Sequence, residues 1–78
     1  MNIKILGAGC AKCRQLEKNV RTALVNLNID AEVEKVTDIN KIMEYEVMMT
    51  PALVVEGAVK STGKIWTVYE LERLFGKE

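Results

Sequence analysis

A chain of 78 residues and 8.8 kDa has room for one domain with a thin core, because a chain this short buries only about 60% of the surface its unfolded form exposes. Apolar residues make up 49% and charged residues 28%, the balance of a folded globular domain and not of a disordered one. Eleven basic residues cancel eleven acidic ones, which removes the basic excess of a nucleic-acid binder and any pull toward an anionic membrane surface. No apolar run approaches the ~18 residues needed to span a bilayer. The opening Met1-Asn2-Ile3-Lys4-Ile5-Leu6 lacks the basic stretch and long apolar stretch of a secretion signal. The expectation is a cytoplasmic monomer, in a compartment that keeps thiols reduced. Histidine is absent, which excludes His-based acid–base catalysis, catalytic triads and His metal ligands. The chemistry concentrates on the two cysteines, Cys10 and Cys13.

In chain order, Asn2 to Leu6 is a short isoleucine-rich run that reads as a buried strand, and Gly7-Ala8-Gly9 as a turn. From Ala11 to Leu27, residues Cys13, Leu16, Val20, Ala23, Leu24 and Leu27 recur at spacings of three and four, one face of a helix. Arg14, Lys18 and Arg21 fall outside that stripe and can face water, and Asn28 suits a left-handed stop. Ala31 to Val36 alternates apolar and charged residues, as a half-exposed edge strand does. Asp38 is a candidate N-cap for a short helix through Ile39, Ile42, Met43 and Tyr45. Thr50-Pro51 opens a third strand, Ala52 to Val55, and Glu56-Gly57 turns it into a more polar fourth, Ala58 to Thr62. Thr67 and Glu70 have capping-box spacing at the start of a last helix, whose Val68, Leu71, Leu74 and Phe75 form an apolar face ended by Gly76. The order β-α-β-α-β-β-α defines an α/β chain. Its first strand–helix–strand unit is expected to be a right-handed parallel crossover and its last two strands an antiparallel hairpin, giving a four-stranded mixed sheet covered by three helices.

Cys10-Ala11-Lys12-Cys13 falls where a strand turns into a helix. Residues three apart at a helix start have Cα atoms about 5–6 Å apart, within disulfide range. The first N–H groups of the helix lack intrahelical partners and can donate to a thiolate on Cys10, which the helix dipole and the nearby Lys12 and Arg14 also favour. Cys13 belongs to the apolar stripe and Cys10 to the turn, so one thiol is expected to be shielded and the other reachable. Lowering a thiol pKa from ~8.5 to ~7 raises the thiolate fraction at pH 7 from about 3% to about 50%. Nucleophilicity falls with basicity, so the net gain in attack is only about threefold, and the larger benefit is a better leaving group.

Gly7-Ala8-Gly9-Cys10-Ala11-Lys12-Cys13 after a first strand, Met49-Thr50-Pro51-Ala52-Leu53 opening a third, and Gly63 before a capped last helix resemble the thioredoxin superfamily. The match is to its very small thioredoxin-like and glutaredoxin-like redox-active disulfide proteins of bacteria and archaea, and it covers essentially the whole chain. The resemblance implies a minimal thioredoxin-like fold and a thiol–disulfide oxidoreductase in which Cys10 is the nucleophile and Cys13 the resolving thiol. It implies a cis peptide between Thr50 and Pro51, with Thr50 offering backbone groups to a substrate chain and Met49 near enough to line the same groove. It also implies a protein disulfide as substrate, an external thiol or reductase as donor, and no organic cofactor or metal. The chain departs from larger thioredoxins: Gly9 stands where tryptophan precedes the first cysteine, Ala-Lys lies between the cysteines, and Lys4 replaces a buried acid.

The competing reading of Cys10 and Cys13 is soft-metal binding, since paired thiolates suit monovalent copper and small copper-chaperone-like domains carry Cys-x-x-Cys before a first helix. Those domains have methionine where this chain has Ala8, and end in a strand where this one is read as a helix. Zinc needs about four ligands, beyond the two thiols offered here. Met43, Met48 and Met49 read as core filler, with Met49 and Tyr45 also placed to line a substrate groove. Trp66 and Phe75 read as packing residues.

Overall fold

The computed structural model describes residues 1–9 and 11–76. Its elements are β1 (Asn2–Leu6), α1 (Ala11–Asn26), β2 (Glu32–Val36), α2 (Ile39–Glu44), β3 (Ala52–Val55), β4 (Ala58–Thr62) and α3 (Val68–Phe75). The sheet order is β2-β1-β3-β4, with β1 parallel to β2 and antiparallel to β3, and β3 antiparallel to β4. This is the four-stranded mixed sheet that the element order predicts, in the minimal thioredoxin-like arrangement that the family resemblance implies.

Side chains alternate across a strand, and the register carries that alternation through the sheet. Ile3 stands opposite Val55 and Ile5 opposite Leu53. All four point to one face, where they pack with Leu16, Val20, Ala23 and Leu24 of α1 and with Leu71 and Phe75 of α3. Leu6 stands opposite Ala52 and Lys4 opposite Val54 on the other face. There Leu6, Ala52, Val54 and Val36 meet Ile42, the one buried residue of α2. Two helices thus cover one face and a single short helix the other. Central β3 is buried on both faces and is apolar throughout, whereas edge strand β2 exposes Glu32, Glu34 and Lys35.

Local chemistry sets the element ends. Asn28 takes a left-handed φ of 56° just after α1. Asp38 caps α2 by accepting from the Asn40 N–H at 2.9 Å. Glu56 and Gly57 both have positive φ, 51° and 80°, as a two-residue hairpin turn requires. At α3, Thr67 Oγ1 accepts from the Glu70 N–H at 3.1 Å while the Thr67 N–H donates to Glu70 Oε1 at 3.0 Å, a complete capping box.

The methionines are a correction. Met43, Met48 and Met49 are 65%, 95% and 62% exposed, so none fills the core. Helix α2 is only six residues long and turns one side chain inward, and Glu46 takes a left-handed φ of 59° just beyond it. The segment carrying Met48 and Met49 therefore runs over the surface before re-entering the sheet at Pro51. Phe75 packs as expected, and half-buried Trp66 lies against the same core with its indole N–H donating to Ser61 Oγ.

Candidate active site

Three segments converge at one end of the sheet: the turn after β1, the first turn of α1 and the entry to β3. Cys13 is buried, 5% exposed, on the sheet-facing stripe of α1 one turn before Leu16. Gly7 leaves β1 with its N–H donating to the Val36 carbonyl at 2.9 Å, so the edge strand fixes it. A Cβ placed on Gly7 would overlap Cys13 Sγ and would lie 3.4 Å from Cys13 Cβ and 3.7 Å from Thr50 Cβ. The cysteine sulfur and the Thr50-Pro51 segment thus both face the same stretch of β1 backbone. Arg14 donates to the Gly9 carbonyl at 2.8 Å, which ties the turn to the helix that follows it.

The Thr50–Pro51 peptide is cis. Pro51 is buried and its carbonyl accepts from the Gly63 N–H at 2.8 Å, while Thr50 is exposed. A left-handed φ of +70° favours glycine at Gly63, and a Cβ there would come to 3.0 Å from Met49 Cε, the mobile end of an exposed side chain. Met49 accordingly lies over the loop after β4, beside Thr50.

Of the residues singled out from sequence, Cys13, Thr50 and Pro51 come together and Met49 flanks them. Lys12 is exposed on α1, next to Cys13 in the chain. Cys10, the expected nucleophile, lies outside the described residues. Tyr45 is drawn to the opposite face of the sheet, where its hydroxyl accepts from Lys4 Nζ at 3.2 Å. That hydrogen bond, then electrostatic interaction with Tyr45 and Glu34, raises the pKa of Lys4. Lys4 therefore stands across the sheet from α1 and makes its contacts beside α2.

Sequence reasoning missed Gly7, read only as part of a turn. Strand parity would have found it, since Gly7 follows Ile3 and Ile5 on the face toward α1. It also missed a cleft of about 230 Å³ that reaches Cys13 between α1 and the end of β2, lined among others by Gly7, Arg14, Lys35 and Thr37. Lys35 is paired with Glu17 at 3.6 Å, and Glu17 also holds Arg21 at 3.0 Å.

A mixed four-stranded sheet with a cysteine at the start of the first helix and a cis-proline at the entry to an antiparallel strand defines a thioredoxin-like protein. The thioredoxin-domain family pattern matches residues 1–76, and the chain belongs to that family. It is 40% identical over 74 residues to a thioredoxin of Methanothermobacter thermautotrophicus, covering 95% of this chain and 96% of the relative. It is 44% identical over 70 residues to a thioredoxin of Methanocaldococcus jannaschii, covering 90% of this chain and 80% of the relative.

Proposed function

We propose that this protein is a thiol–disulfide oxidoreductase that uses Cys10 and Cys13 to reduce or exchange protein disulfides. The observation that carries the proposal is the meeting of buried Cys13 with the Thr50–Pro51 cis peptide against Gly7, in a chain of the thioredoxin family. The Cys10 thiolate attacks one sulfur of a substrate disulfide. The Cys10–substrate bond forms, the substrate S–S bond breaks, and the leaving sulfur takes the electron pair and a proton from water. Cys13 then loses its proton and attacks Cys10 Sγ. The Cys10–Cys13 bond forms, the mixed disulfide breaks, and the second substrate sulfur departs as a thiolate. The substrate gains two electrons and the protein loses two, which an external thiol or a reductase returns. Thr50 offers its backbone to the substrate chain, Met49 borders the groove, and Lys12 favours the Cys10 anion. Among the described residues no helix is long and apolar enough to cross a membrane, and the proposed setting is the reducing cytoplasm.

Mixed-disulfide trapping tests the proposal. Cys13→Ser is expected to accumulate covalent complexes through Cys10, and Cys10→Ser to accumulate none. If both variants keep full activity and neither traps a substrate, the assignment is wrong. Native mass spectrometry of protein purified with and without reductant separates the metal-binding alternative. A two-hydrogen loss on oxidation supports the redox pair, and a stoichiometric copper ion supports the other.

A further inference from the structure

We propose that Gly7 is a positioning residue for the resolving step: by having no side chain, it seats the sulfur of Cys13 against the β1 backbone. The inference deepens the function proposed above and rests on it, because it takes Cys13 as the resolving thiol. Gly7 is buried, yet its φ lies outside the left-handed region, so its backbone conformation does not itself call for glycine. The obstacle to a side chain is local. The three heavy atoms nearest an added Cβ are Cys13 Sγ, which it would overlap, Cys13 Cβ at 3.4 Å and Thr50 Cβ at 3.7 Å. The last two are ordinary contacts, so the conflict falls on the sulfur alone. The sulfur occupies the space in which β1 would otherwise place its next inward side chain after Ile3 and Ile5.

Relief of the overlap requires the sulfur to leave its seat or the helix to shift from the strand. The backbone at Gly7 has little freedom to yield, since its N–H is held by the Val36 carbonyl. In the resolving step Cys13 Sγ bonds to Cys10 Sγ while the Cys10–substrate bond breaks and its electron pair leaves with the substrate sulfur. Such a displacement needs the attacking sulfur in line with the breaking bond, and a misplacement of about 1 Å can cost on the order of a hundredfold in rate. Gly7→Ala therefore acts on the second exchange and spares the first, which depends on Cys10.

A symmetrical nitroaryl disulfide, which releases one coloured thiolate for each exchange, reads the two steps separately by stopped flow. The reduced parent protein is expected to release two thiolates in succession and Cys13→Ser only the first. In Gly7→Ala the first phase is expected to keep its rate and the second to slow by about tenfold or more. A folded Gly7→Ala protein whose second phase runs at the parent rate overturns the assignment. A parent that releases no second thiolate overturns the redox reading itself, and this assignment with it. Unfolding measurements supply an independent arm. If the sulfur is the obstacle, Gly7→Ala costs less stability in a Cys13→Ala background than in the parent, and the pair is strongly non-additive. A Gly7→Ala chain that fails to fold is expected to regain its fold in that background, and equal cost in both backgrounds refutes the steric seat.

Discussion

Reactivity at Cys10 is expected to come from the start of α1 more than from any one side chain. Alkylation rate against pH measures this, with an expected midpoint below the ~8.5 of an ordinary thiol. A midpoint at or above that value removes the helix-start argument. Lys12 is exposed, and an exposed charge contributes little in water, so Lys12→Ala is expected to raise the midpoint by about half a unit or less. At this scale the sequence was readable where a residue's surroundings follow from its own element. The period of three and four put Cys13 on the buried stripe of α1, and it is buried. The reading failed where surroundings depend on elements distant in the chain. Apolar character alone assigned Met48 to the core, yet it is 95% exposed. The pairing of Lys4 with Tyr45 joins residues 41 apart, and no local pattern announces it.

Among the elements, α3 states its limits most clearly, because both halves of its capping box lie within four residues. Thr67→Ala is expected to cost about 1 kcal/mol of stability, measured by chemical denaturation. The same box predicts a pH dependence. The Thr67 backbone N–H, and next the Lys64 ammonium at 3.0 Å, hold the pKa of Glu70 below its ordinary 4.5. A carboxylate with a lowered folded-state pKa contributes fully above the unfolded value and loses that contribution as pH falls through the lowered one. Glu70→Gln is therefore expected to flatten the dependence of the unfolding midpoint on pH below about 4.5, with a small amplitude because Glu70 is exposed to solvent screening. An unchanged slope refutes the role of the carboxylate in the cap. The other boundaries were legible for similar reasons: α1 ends at Asn26, one residue before the expected Leu27, and β2 begins at Glu32, one after Ala31. Leu27 still donates to the Ala23 carbonyl at 3.0 Å, so the apolar stripe outlasts the helix by one turn-like bond.

For the whole molecule, the main core is a layer between the sheet and the α1–α3 pair, and Phe75 is the largest side chain fully buried in it. A chain of this size has a total stability of about 4–12 kcal/mol at the usual 0.05–0.15 kcal/mol per residue. Phe75→Ala is expected to remove about 3–5 kcal/mol and to leave a marginal or unfolded protein, seen as a large drop in Tm. The fold was legible because alternation, helical period and turn residues agree along the whole chain. The cis bond was expected only from the family resemblance, since composition alone favours trans for any X–Pro pair. The seat of the Cys13 sulfur was invisible because it depends on how closely a helix approaches a strand. Gly7, Cys13 and Thr50 are neighbours only when β3, arriving some forty residues after α1 begins, has zipped alongside β1. A fragment ending before β3 would carry both cysteines and Gly7 but would lack the Thr50–Pro51 segment that borders the same backbone. The meeting of all three segments is thus complete only once β3 has joined the sheet, about two-thirds of the way along the chain.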